Sequence, residues 1–465
     1  MRYISTRGSA PALGFDEVLL TGLAADGGLY VPERWPALSA GDLTEMRGLS
    51  YGELAAHILA PFVGEAIAGK DLAGLVEGAY AGFDHPEIAP LTEIGENEWL
   101  LELFHGPTLA FKDYAMQPLG RLFDNVLEAR GKRLTIVGAT SGDTGSAAIA
   151  ALAGRKSIEV FILHPHDRVS EVQRRQMTTV DAANIHNIAI EGTFDDCQDL
   201  LKALFADAAF RKETRLSAVN SINWARIAGQ IVYYVWAALR LGVQETGIAF
   251  AVPTGNFGNV YAGYAARQMG LPIRQLVVGS NRNDILTRFL ETGIMEIREV
   301  EPSLSPSMDI QVSSNFERLL FDLLDRQGTP IAELMAEFKK SGRFALDSET
   351  LKRVRELFDG AKLDDEETKN AIAQIHSESG ILLDPHSVVG IMAGRTRRRD
   401  KAIPMVAIGT AHPAKFPDAV EAASGVRPAL PPHLADLFER TERFEVLAND
   451  LGQVRAYIAG RACAA

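Results

Sequence analysis

Four stretches of the chain carry residues whose types and spacing could do chemistry. The first is LFHGPTLAFKD (103–113), with Lys112 at its end. A lysine taken at random is a solvated residue on a helix. Lys112 differs because it lies between Phe111 and a helix start, beside the turn His105-Gly106-Pro107-Thr108. Partial desolvation there disfavours the ammonium and frees the amine as a nucleophile or base, which is what a Schiff-base lysine requires. The second stretch is GATSGDTGSAA (138–148), a Gly/Ser/Thr loop between a short buried strand and a helix of small residues. The exposed amides of such a unit form an anion site. The third is PTGNFGNV (253–260), where Gly255 and Gly258, flanked by asparagines at a helix start, suit a nest of amides around a phosphate; a plain tight turn is the alternative. It lacks the Lys-Ser/Thr ending of a nucleoside-triphosphate loop and the three-glycine dinucleotide spacing, so a monophosphate fits better. The fourth is GTAHPAKF (409–416), polar residues after the last buried strand, in which His412 reads equally well as a structural histidine.

These residues need elements to position them. Apolar residues at Met116, Leu119, Leu122, Phe123, Val126 and Leu127 recur at helical spacing, so Lys112 falls at the first turn of an amphipathic helix ending near Gly131. Strands are expected at 134–137, 158–163 and 185–190, alternating with helices at 144–153, 169–179 and 194–205. Such alternation argues for a parallel sheet covered on both faces, with ligands at the carboxyl ends of its strands. A second block opens at Asn220, with a helix at 226–241, a strand at 247–252, a helix at 260–269, a strand at 273–279 and a last buried strand at 403–408. Residues 1–95 read as a helical cap, 330–380 as charged surface helices, and the tail from Pro431 onwards as surface helices.

A chain of 465 residues is too long for one simple core, and 47% hydrophobic with 23% charged residues is ordinary for a soluble enzyme. The net charge of −13, with only Arg395-Thr396-Arg397-Arg398-Arg399 as a basic cluster, sets nucleic acid aside; that cluster suits a helix C-terminal flank. No apolar run is long enough to cross a bilayer, and MRYISTRGSAP has no signal-type segment, so cytoplasmic residence is expected. Cys197 and Cys463 alone make neither a disulfide framework nor a zinc site.

Eight stretches, YISTRG (3–8), DGGLYVPE (26–33), LFHGPTLAFKD (103–113), GATSGDTGSAA (138–148), NSINWARIAGQ (220–230), PTGNFGNV (253–260), SPSMDI (305–310) and GTAHPAKF (409–416), span nearly the whole chain in order. By them the chain resembles the threonine synthases, pyridoxal-phosphate enzymes of the tryptophan synthase β fold (fold type II), in their longer bacterial and fungal branch. The resemblance implies an α/β architecture of two parallel-sheet αβα domains with an N-terminal helical cap. Residues 1–95 would be the cap, 96–133 with 220–465 the larger cofactor-binding domain carrying surface helices, and 134–219 the smaller domain. Lys112 would hold pyridoxal 5'-phosphate as an aldimine, and Gly255, Asn256, Phe257, Gly258 and Asn259 would bind its phosphate. Thr410 matches the residue that hydrogen-bonds the pyridine nitrogen, and a hydroxyl there, unlike a carboxylate, would not keep that nitrogen protonated. Thr140, Ser141, Gly142, Asp143 and Thr144 match the loop that receives the substrate carboxylate and flanks the ring oxygen. Related families carry Asn where Asp143 stands; a carboxylate facing that oxygen would repel it unless protonated or turned away.

The implied reaction converts O-phospho-L-homoserine and water into L-threonine and phosphate, the last step of threonine biosynthesis, by γ-elimination and β-addition of water. Lys112 would be the general base and proton shuttle. The leaving phosphate needs cations or amides aimed at it, and Lys415, Arg282 and Arg7 are the candidates. No metal, membrane or nucleic-acid partner is expected, and a monomer or homodimer both fit. Two rivals stay open: a phospho-lyase or dehydratase of the same fold that releases 2-oxobutyrate, and a non-catalytic relative that binds a metabolite or partner.

Overall fold

A computed structural model describes residues 1–217, 221–243 and 246–463. Its larger sheet has six strands in the order Phe358–Lys362, Ile273–Ser280, Ile248–Pro253, Met405–Gly409, Glu98–Glu102 and Leu91–Gly95. Neighbours run parallel except Leu91–Gly95, which folds back antiparallel on Glu98–Glu102. The smaller sheet is wholly parallel, in the order Glu445–Ala448, Ile185–Glu191, Ile158–Pro165, Leu134–Ala139 and Leu216–Ser217. Central strands such as Ile248–Pro253 are buried along their whole length, which is why they read as continuous apolar runs rather than alternating ones. The strands and helices expected around the two glycine loops are present with ends shifted by no more than two residues. The two-sheet α/β fold is therefore the expected one.

Three elements lie elsewhere than expected. Leu91–Gly95 is an edge strand of the larger sheet rather than part of the cap. Phe358–Lys362, expected among surface helices, is the opposite edge strand of that sheet, and its sequence FDGAK carries no apolar alternation. The tail after Pro431 was expected on the larger unit as helices. Instead Glu445–Ala448 pairs with Ile185–Glu191, satisfying that strand's open edge, and the helix Leu451–Ala459 packs Val454 and Ile458 into the core of Val137, Phe161 and Ile188. The expected boundary at 219/220, with Asn220 itself, lies outside the described residues.

Two helices hold the site from below. Every residue from Trp224 to Leu239 is buried, so the helix Trp224–Arg240 runs through the interior and is apolar almost all round. The helix Lys112–Ala129 turns Tyr114, Met116, Leu119, Phe123 and Val126 inward. Pro118 lies within it and cannot donate to the carbonyl of Tyr114; the Tyr80 hydroxyl donates to that carbonyl instead, at 2.8 Å. Tyr80 ends a helix of the N-terminal cap, so the cap is tied directly to the helix that carries Lys112. No helix among the described residues is long and apolar enough to cross a membrane.

Candidate active site

Apart from Arg7, every expected site residue lies just beyond the carboxyl end of a strand in one of the two principal sheets. Parallel sheets collect their ligands there. Lys112 is the first residue of its helix, anchored by Phe111 N–H donating to the Thr410 carbonyl at 2.9 Å. The Asp113 carboxylate accepts from the Thr108 amide (2.8 Å) and hydroxyl (2.7 Å), closing the turn that delivers the lysine. Burial pushes the Asp113 carboxyl up to about 6, against those two bonds. The Lys112 side chain is 11% exposed and its Nζ donates to Asp143 Oδ2 at 3.0 Å. Burial lowers its pKa, Asp143 opposes the shift, and the charges of Lys415 and Arg226 reinforce it.

Asp143 is the node of the site. Its Oδ2 accepts from Lys112 and from Ser307 Oγ (3.1 Å), while its Oδ1 accepts from Gln173 Nε2 (2.8 Å) and lies 2.9 Å from Lys415 Nζ in an ion pair. Burial alone would raise its pKa, but Lys112 and Lys415, helped by His386 and Gln173, hold it well below the usual carboxylate range. The carboxylate is thus charged and turned onto two ammonium groups. Gly142 makes room for this: it has φ of 140°, and a Cβ on it would fall 2.5 Å from Gln173 Cδ. Thr140 Oγ1 accepts from the amides of Gly142 (3.0 Å) and Gly145 (2.9 Å), so this hydroxyl shapes the loop. Ser141 and Thr144 lie on the same loop, at the start of the helix Asp143–Leu152.

The second glycine loop shows why it can take an anion. Ser313 Oγ donates to the Gly255 carbonyl (2.7 Å), while Asn315 donates to the Asn256 carbonyl from its amide (3.2 Å) and side chain (3.0 Å). With those carbonyls drawn off, the amides of Gly255, Asn256, Phe257, Gly258 and Asn259 have no protein acceptor among the described residues. Phe257 sits in the left-handed region at φ of 61°, its ring packed on Phe316 and Phe358. The hydroxyls of Tyr233 (2.7 Å) and Tyr234 (2.8 Å) both donate to Asn259 Oδ1, which leaves Asn259 Nδ2 buried without a partner.

The two loops and the lysine meet through Ser307. A Cβ on Gly255 would lie 3.1 Å from the Ser307 carbonyl oxygen, and Ser307 Oγ reaches the same Asp143 oxygen as Lys112. The Ser307 amide donates to His386 Nε2 at 3.3 Å, so His386 presents its Nδ1–H to Asp384 Oδ2 at 2.6 Å, and this fixes the ring's tautomer. Thr410, beside Phe111, keeps its Oγ1 buried and without a partner.

The expected phosphate-gripping cations each have protein partners. Lys415 is fully buried; its Nζ donates to the Thr108 carbonyl (2.7 Å) and to Gln176 Oε1 (3.1 Å), and it is ion-paired with Asp143 at 2.9 Å. Arg282 is held by Asp365 at 2.8 Å and faces Glu301. Arg7 makes a two-pronged bond to Glu317. Among the described residues, Arg226 is a buried cation without a hydrogen-bond partner, and one that sequence reasoning missed. Arg226 is 4% exposed, its Nε and Nη1 have no hydrogen-bond partner, and burial lowers its pKa to about 10. Its signal in the sequence was a lone arginine among apolar residues on the helix Trp224–Arg240.

Three family models match the chain: threonine synthase N terminus over residues 2–80, pyridoxal-phosphate dependent enzyme over 85–337, and threonine synthase C-terminal over 387–458. The chain is 58% identical over 459 residues to a threonine synthase of Pseudomonas aeruginosa, covering 98% of each. The crystal structure of a pyridoxal-phosphate-bound threonine synthase from Brucella melitensis superposes with a TM-score of 0.98 at 51% identity, covering 100% of both chains. A yeast threonine synthase superposes at 0.93 with 39% identity, covering 99% of this chain and 98% of that one.

Proposed function

The chain belongs to the threonine synthase family of pyridoxal-phosphate enzymes, and from that premise we propose that it converts O-phospho-L-homoserine and water into L-threonine and phosphate, with Lys112 carrying the cofactor. The observation that supports this most is the unsatisfied polar set around one buried amine. The amides of 255–259 and Asn259 Nδ2 offer donors to a phosphate, while the Thr410 hydroxyl offers one partner to a ring nitrogen. A phosphorylated pyridine aldehyde fits that set.

Pyridoxal phosphate, when bound, would supply an electron sink for negative charge developing at the amino-bearing carbon. The chain's residues do the rest. Lys112 Nζ, its proton affinity lowered by burial, would take the proton from Cα of the substrate and move protons at Cβ and Cγ. Asp143 Oδ2 and Ser307 Oγ orient that amine. Arg226 would receive an anionic group of the substrate, because a buried guanidinium with two unpartnered nitrogens is costly unless an anion completes it. The amides opening the helix Asp143–Leu152, in the loop of Thr140, Ser141, Gly142 and Thr144, would receive the second anion, the carboxylate. Phosphate leaves Cγ and water adds at Cβ, so the protein must retain the unsaturated intermediate until water arrives. Cytoplasmic residence suits a biosynthetic reaction on a small molecule, and a site built from one chain suits a monomer or a homodimer.

Incubating the purified protein and cofactor with O-phospho-L-homoserine tests the proposal. Threonine and phosphate in equal amounts are expected; 2-oxobutyrate would point to the lyase reading, and no turnover to a non-catalytic relative. Lys112→Ala should remove the visible absorbance of the bound cofactor, and a retained band would refute the assignment of Lys112.

A further inference from the structure

We propose that Lys415 is a positioning residue: its ammonium neutralises Asp143, so that Asp143 orients Lys112 without imposing a full negative charge on the nitrogen Lys112 presents. The proposal rests on the reading that Lys112 carries the cofactor.

The geometry divides Asp143 cleanly. Oδ2 faces Lys112 at 3.0 Å and Oδ1 faces Lys415 at 2.9 Å, one oxygen to each amine. The Lys415 ammonium also donates to Thr108 and Gln176, so swinging to a ligand would break two buried hydrogen bonds together with the ion pair. Thr108 in turn braces Asp113, next to Lys112, so Lys415 is joined to the lysine helix on two sides. The charged and titratable groups facing this pair are Lys112 and Asp113 on the lysine helix, Arg226 on the interior helix and His386 behind Ser307. Asp113 feels Lys415, but both its oxygens are bonded to Thr108. Asp143 is therefore the carboxylate that Lys415 meets directly. Gln173 supports Oδ1 but, being neutral, cannot balance the charge.

Opposite signs follow for the two single variants. Without Lys415, Asp143 directs its uncompensated charge at the Lys112 nitrogen and raises that nitrogen's proton affinity. Without Asp143, the buried Lys415 ammonium lowers it. With both removed, the neighbourhood returns toward neutrality.

The test is a pH titration of the visible absorbance of the cofactor bound to Lys415→Met, Asp143→Asn, the double variant and the parent protein, with urea unfolding of each. The expected midpoint rises by about 1 pH unit in Lys415→Met, falls by about as much in Asp143→Asn and lies near the parent in the double variant. If Lys415→Met fails to fold, folding of the double variant supports the pairing. Identical midpoints in the parent and the folded Lys415→Met overturn it, as does failure of both Lys415 variants to fold while Asp143→Asn folds normally. Failure of the underlying reading looks different: the parent's band would then persist in Lys112→Ala.

Discussion

Asp113 and Asp143 are buried carboxylates at opposite ends of one lysine's reach, and their partners push them apart. Asp113 has only the amide and hydroxyl of Thr108 and a pKa pushed up to about 6, whereas Asp143 has two ammonium groups and is held well below the ordinary range. For Asp113 the folded-state value lies above the unfolded 3.8, so the folded state binds the extra proton between the two values. Its favourable contribution is complete below the unfolded value and is lost as pH rises through about 6. The stability of the parent minus that of Asp113→Asn should therefore fall by roughly 2 kcal/mol between pH 4 and pH 7, the part of the shift realised in that window converted at about 1.36 kcal/mol per unit. Urea unfolding across that range measures the difference, and a flat difference would show that Asp113 is not protonated by burial. Asp143 has the reverse sign: its contribution is present above the unfolded value and is lost as pH falls below the usual carboxylate range. Lys112 was legible in the sequence because a Phe, a turn and a helix start surround it within ten residues. The pairing of Lys415 with Asp143 was not, since it joins residues 272 positions apart in sequence (415 − 143) and only tertiary packing sets which cation meets which anion.

The helix Trp224–Arg240 serves the site along one face. Arg226, Gln230, Tyr233 and Tyr234 recur at intervals of four, three and one residues, the spacing that puts them on a common side. Tyr233 also donates to Gln230 Oε1, so the two tyrosines and the glutamine lock the orientation of Asn259. Replacing both tyrosines with Phe should weaken binding of pyridoxal phosphate by about 10-fold, as expected for two hydrogen bonds of about 0.5–1.5 kcal/mol whose loss frees Asn259 to turn. Binding of pyridoxal, which lacks the phosphate, should change little. Equal losses for both, followed by fluorescence titration of the cofactor-free protein, would show that the tyrosines support the fold rather than the phosphate site. Element existence was readable wherever a long apolar period or a continuous apolar run marks it, as in 248–253 and 224–240. It failed for two short edge strands: Phe358–Lys362, where FDGAK places an acid and a glycine in the middle of the strand, and Glu445–Ala448, only four residues long with Glu445 and Val446 exposed.

At the scale of the whole molecule, the chain's last stretch returns to the sheet that it left at residue 217. We propose that the smaller domain comprises 134–217 together with 445–463, joined across by the segment in which Leu434 and Leu437 pack on Leu109 and Val172 and Glu442 pairs with Arg174. Ile458 is fully buried in that domain's core, so Ile458→Ala should cost about 2–5 kcal/mol of stability, and a cost under 1 kcal/mol would mean the tail is peripheral. The two-sheet fold was legible because alternating strands and helices leave few arrangements. The tail's return was not, because nothing local says which open sheet edge a short strand will join. The account as a whole depends on one amine from the larger unit lying beside the carboxylate of the smaller one. Borohydride reduction of the cofactor-loaded protein, followed by peptide mass mapping, tests that most directly. The reduced cofactor should be found on the peptide containing Lys112; finding it on Lys415 or on any other lysine would contradict the account.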